Sequence, residues 1–202
     1  MRIDLTHAQQ DAIARMREVL QDGFVTLRVQ KYRVEEDVDA GRSSVLATIV
    51  EDPGDVRFGV EADGVGIIDA LFSGLLDRYA DAHPSLRSIR FTGFSVKGLM
   101  TDTERGADAQ AVAEIEVTNS YGTSFSFGAR SHSVSRASVE IVVAAVEYFV
   151  NAERAWVKMY EALQHYRSEG RADLVQKYTT MLSEMVKNTS YSEVIEQLRA
   201  EA

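Results

Sequence analysis

The amino-acid sequence predicts an α+β protein in which a strand-strand-strand-helix unit occurs twice, with an N-terminal helix and a C-terminal helical extension. Three observations carry this expectation. Apolar and polar residues alternate with period two over 24–31 and again over 109–119, each within a block of three strand-like segments, as half-buried strands require. Each block is followed by apolar residues at three/four spacing, the pattern of a helix with one buried face. Placing Tyr79 on Tyr148 sets Ile68 on Ala137, Ala70 on Val139, Phe72 on Ile141 and Leu75 on Ala144, so the two helices share one buried pattern, as an internal duplication would.

The elements follow in order. Thr6 and Gln9 have capping-box spacing, and Ile13, Met16, Val19 and Leu20 continue a helical pattern to Gly23. Strands are expected from Phe24 to Lys31, from Ser44 to Val50 and from Val56 to Glu61, with Asp52-Pro53-Gly54-Asp55 as the second turn. A helix through Ile67, Leu71, Leu75 and Tyr79 is expected to end by Pro84. The second unit repeats this with strands over Ser88–Leu99, Ala109–Asn119 and Thr123–Arg130, then a helix from Ser133 that runs on to Gly170. Such length asks for a helical partner. Leu174, Tyr178, Met181 and Met185 form a further amphipathic helix, and Ser190 with Glu193 opens a short last one through Leu198. The resulting division is 1–23, 24–170 (units 24–86 and 87–170) and 171–202.

Composition excludes several classes. Among 202 residues, 22 Lys and Arg face 31 Asp and Glu, a formal charge of -9 that repels phosphate backbones, so nucleic acid is not expected as a partner. The absence of Cys excludes disulfides, thiolate nucleophiles and Cys-ligated metals, and fits a cytoplasmic location. No apolar run is long enough to span a bilayer, so no membrane is expected. The four histidines, His7, His83, His132 and His165, form no His-x-His pair, and neither a nucleophile elbow nor a phosphate-binding loop is present. No metal, cofactor or catalytic residue is therefore expected. The acidic run Glu35-Glu36-Asp37 reads as a solvated turn before Gly41, and Trp156, Met159, Tyr160 and Tyr166 as core or dimer contacts.

Gly64-Val65-Gly66-Ile67-Ile68-Asp69-Ala70 resembles the opening of the first helix in the C-terminal regulatory domain of 2-isopropylmalate synthase and citramalate synthase, where the pattern is Gly-x-Gly-Pro-Val-Asp-Ala. Ala137-Ser138, and Asp108-Ala109 followed by Val112, match that family's second unit, and the likeness extends from about Phe24 to Asn151. Ile67 stands where the family has Pro, and Ser133 where it has Asp. The resemblance implies two strand-strand-strand-helix units, a homodimer, and a leucine- or isoleucine-binding site near the helix starts that inhibits a catalytic barrel. The barrel itself needs about 250 residues, so a freestanding module without catalysis is expected, acting on a separate synthase subunit.

The chemistry at the two helix starts gives candidate ligand-binding residues. Gly64, Val65 and Gly66 precede a helix whose first amides can hold a carboxylate, with the glycines allowing positive φ and close backbone approach. Alternatively the loop only turns the strand into the helix. Asp69 either grips a ligand ammonium or favours the helix dipole. At the second start, Arg130, Ser131, His132 and Ser133, with Arg136 close by, put positive charge beside an already positive helix end. Either an anionic ligand accounts for this, or the arginines pair with surface carboxylates. The functional expectation is a sensor of a branched-chain amino acid or related small carboxylate. Its rival is a ligand-free interaction and dimerisation module with the same fold that works through its helical tail.

Overall fold

The computed structural model describes residues 3–99 and 110–185. Both predicted units are present, as two antiparallel sheets with helices. Helix α1 (His7–Leu20) starts at Thr6, whose hydroxyl accepts the Gln9 amide while the Gln9 side chain accepts the Thr6 amide. The first sheet has the order β2-β3-β4, from β2 (Thr26–Asp37), β3 (Arg42–Asp52) and β4 (Val56–Gly64), and α2 (Ile67–Tyr79) packs on β4 and β3. The second has the order β1-β7-β6-β5, from β5 (Arg90–Leu99), β6 (Gln110–Thr118), β7 (Ser124–Ser131) and a short β1 (Ile3–Asp4). Helix α3 (Val134–Ser168) packs on β6 and β7, and α4 (Ala172–Met185) folds back along it.

The duplication extends to irregularities. In each unit the first strand carries a bulge, between Val29 and Lys31 in β2 and between Phe91 and Gly93 in β5. Bulges bend a strand and raise its local twist, so the first strand of each unit is bent in this way. Three of the aligned pairs, Ala70/Val139, Phe72/Ile141 and Tyr79/Tyr148, are buried in both units.

Two local expectations are corrected, and one strand is new. Glu35, Glu36 and Asp37 lie inside β2, paired with Ser44, Ser43 and Arg42, because the first hairpin runs to its turn and keeps these carboxylates exposed. Pro84 opens a 3-10 turn (Pro84–Ser88) four residues after α2 has already stopped at Ala80, so it does not itself end that helix. Strand β1, which pairs Ile3 with Ala129 and Asp4 with Gly128, is too short for alternation to signal it. The expected strand opening at Asp108-Ala109 and the last helix from Ser190 to Leu198 lie outside the described residues.

One core runs through the described molecule, from Ala12 on α1 to Met185 on α4. Long α3 finds its partners within the chain: α1 and α4 both pack on it, Trp156 stacks on Tyr160 at 5.2 Å, and Tyr166 stacks on Tyr178 across the α3-α4 seam at 5.5 Å. Leu182 and Met185 are buried there, and Arg15 of α1 pairs with Glu184.

Where β2 begins, at the edge of the first sheet, α3 supplies polar groups. The fully buried Asn151 accepts the Val25 amide at 2.8 Å and donates to the Val25 carbonyl at 2.7 Å. One turn earlier, Glu147 accepts the Leu27 amide at 2.7 Å, and two residues later the buried Glu153 accepts the Ser85 amide at 3.0 Å. A helix of the second unit thus completes the edge strand of the first and holds the connection between the units.

Truncating Asn151 leaves a buried donor and acceptor without partners, so Asn151→Ala should destabilise folding by about 3 kcal/mol in chemical denaturation. Burial raises the pKa of Glu147, against the lowering effects of the Leu27 amide and Arg17. The native state therefore holds its proton more tightly than the unfolded chain, and the stability Glu147 contributes is present at acid pH and lost as pH rises through its native pKa. Glu147→Gln should accordingly gain stability relative to the parent as pH rises through and above the usual carboxylate range, measured as denaturation midpoints at several pH values.

Candidate functional site

The first helix start is a close backbone junction. A Cβ on Gly64 would sit 2.5 Å from the Ala70 amide nitrogen and 2.9 Å from the Ala70 Cα. Gly64 is thus required by the approach of β4 to the first turn of α2. Neither Gly64 nor Gly66 has a positive φ among the described backbone, so the expected left-handed conformation is absent; Gly66 is extended, with φ -177°. Asp69 folds back to accept the Val65 amide at 3.1 Å, which holds the loop over the helix end.

This start is also open. Gly66 is the N-cap of α2 and has no side chain to accept the first-turn amides, and a Cβ placed on it would meet nothing within 4 Å. Val65 beside it is 84% exposed. First-turn amides without a side-chain acceptor, together with the helix dipole, favour a carboxylate.

The second start is closed. Ser133 caps α3 by accepting the Arg136 amide at 3.2 Å, and the Ser131 hydroxyl accepts the Ser133 amide at 3.1 Å. Arg130 pairs with Asp4 of β1 at 3.3 Å, and Arg136 with Glu140 one helical turn on at 3.1 Å. The His132 ring nitrogen Nε2 lies 3.4 Å from the side-chain Nε2 of Gln110. The carboxylate pairing weighed in the sequence accounts for both arginines.

The two starts belong to different sheets, Gly64–Asp69 at the end of β4 and Arg130–Ser133 at the end of β7. The second abuts the first sheet through Tyr32 of β2, whose hydroxyl lies 3.1 Å from that of Ser135. Beside this contact a cavity of about 320 Å³ opens between β2 and α3, lined by Val29, Lys31, Tyr32, Arg136, Val139 and Glu140. Sequence reasoning did not find Tyr32; its aromatic ring at a strand position facing the helix was the available signal. Among the described residues no three His, Asp or Glu side chains gather as a metal site, and no helix is long and apolar enough to cross a membrane.

Gly64→Ala should destabilise the fold by about 1–3 kcal/mol, since the added carbon meets backbone, whereas Gly66→Ala should change stability by less than about 0.5 kcal/mol. Denaturation of the two variants side by side checks the difference.

No curated protein matches the chain. A family model does: the LeuA allosteric (dimerisation) domain matches residues 6–150 of the 202, covering α1, α2, strands β2 to β7 and the first half of α3. With two strand-strand-strand-helix units in the expected order and a glycine-flanked first helix start, the chain belongs to the LeuA allosteric (dimerisation) domain family.

Proposed function

We propose that this chain is a non-catalytic regulatory module that binds a branched-chain amino acid or a related small carboxylate and passes the signal to a partner enzyme, such as a separate synthase subunit. The observation that carries the reading is the uncapped start of α2: Gly66 offers no side-chain acceptor to the first-turn amides, and the space above it is open. A ligand carboxylate would take those amides, an ammonium group would face Asp69, and an apolar side chain would lie on exposed Val65. Gly64 sets the loop's distance from the helix. Arg130, Ser131, His132 and Ser133 form the equivalent start in the second unit, and its engaged arginines make it the weaker ligand site. The sensing body in this reading is the repeated pair, 24–86 and 87–170, flanked by helical segments 1–23 and 171–202.

The module would act as a cytoplasmic homodimer. Supporting a self-interface, edge strand β5 carries Phe94 at 52% and Val96 at 40% exposure. A ligand shifts an assembly only by binding two of its states unequally, so the signal is a change in dimer geometry or strength. One observation favours the rival reading of a ligand-free interaction module: the carboxylates of Asp4 and Glu140 already occupy the cations that would greet an anion at the second start.

Thermal unfolding with leucine, isoleucine, valine and 2-oxo acids tests the sensor. One of them at 100 times its dissociation constant should add about 2.7 kcal/mol, and Gly66→Val should abolish that gain while leaving the unliganded stability in place. No gain with any of these compounds would leave the interaction module as the reading. For the dimer, Phe94→Asp should move the sedimentation coefficient to the monomer value with far-ultraviolet circular dichroism unchanged.

A further inference from the structure

A second cavity lies at the opposite end of the helical layer, where the C-terminal end of α1 meets α3 and α4. Its volume is about 250 Å³. The floor is apolar and flexible, formed by Val19, Met159 and Met181, and the rim is charged, with Lys158 from α3 and Lys177 from α4. One carboxylate, Glu18, shares that rim, so the mouth is net positive in a chain whose formal charge is -9. None of these three charged groups forms an ion pair among the described residues. Apart from the end of α1, the lining comes from residues after position 150, beyond the family match.

The backbone gives an independent sign. Gln21, which also lines the cavity, is the C-cap of α1 and has φ 51° and ψ -123°. That conformation suits glycine and strains a residue with a side chain. Glycine does follow two positions later at Gly23, yet the strained position keeps a long amide side chain at the mouth of the cavity.

We propose that this cavity is a binding site for a short aliphatic carboxylate. The carboxylate lies between the Lys158 and Lys177 ammonium groups with the Gln21 amide as a further donor, and the hydrocarbon tail rests on Val19, Met159 and Met181. Methionine suits such a floor because its unbranched thioether adapts to differently shaped tails. Two ammonium groups on separate helices bind an anion best when α4 is docked on α3, so occupancy would fasten the extension to the rest of the protein.

The test is methyl NMR of the full chain labelled at methionine, titrated with isovalerate and, as an uncharged control of the same shape, isopentyl alcohol. Isovalerate should shift the Met159 and Met181 methyl signals saturably, and the alcohol should not. Lys158→Met and Lys177→Met, both at exposed positions, should each weaken binding about tenfold. Gln21→Gly should raise the melting temperature of the unliganded protein and weaken isovalerate binding together. Unmoved Met159 and Met181 signals at about 10 mM isovalerate, where even millimolar affinity would register, overturn the proposal, as do shifts that persist unchanged when both lysines are replaced. Because the readout is local to these methyls, failure here is separate from failure of ligand binding at α2.

Discussion

The fold depends on the way α3 finishes the first sheet. A β-strand that begins at a sheet edge leaves backbone donors and acceptors without a neighbour, and burying them costs free energy unless something else pairs them. Asn151 presents an acceptor and a donor to Val25 in the manner of a missing strand, and Glu147 and Glu153 extend the same service to Leu27 and Ser85. These groups lie on about two turns of one helix. Through them the second unit's helix fixes where the first unit's sheet begins, which in turn sets β4, the tight Gly64 junction and the open start of α2.

Much of this was legible in the sequence because it is written in periodicity. The change from period two to period 3.6 marks six of the seven strands and the four helices among the described residues, the Thr6/Gln9 spacing marks the first cap, and the aligned apolar positions carry the duplication. What was not legible is tertiary. The pairing of β1 with β7 leaves no local trace in two residues. Asn151 reads as a polar interruption of an apolar stripe until Val25 is seen opposite it, although three polar side chains within seven residues, on a helix otherwise buried there, were a usable sign. Gly74 was overlooked as well: a Cβ there would meet the Val60 side chain at 2.4 Å, so glycine in mid-helix lets α2 press onto β4.

The candidate site divides along the same line. Sequence singled out the loops before α2 and α3, since glycines before a helix and serines before another are local signals. It could not tell which start was open, because that depends on partners distant in sequence. Asp4 is 126 residues from the Arg130 it neutralises, and the contrast between capped α3 and uncapped α2 comes from one side chain, Ser133 against Gly66. Two copies of one unit have thus diverged at equivalent positions, one helix start closed by serine and ion pairs and the other without a side-chain cap.

A regulatory module must couple what it binds to how it assembles, and that coupling is reciprocal. The most direct test is sedimentation equilibrium of the full chain with and without saturating leucine. The account predicts a dimer whose dissociation constant changes with the ligand, by about fivefold or more for a coupling of about 1 kcal/mol. A dissociation constant that stays the same while leucine demonstrably binds would contradict it.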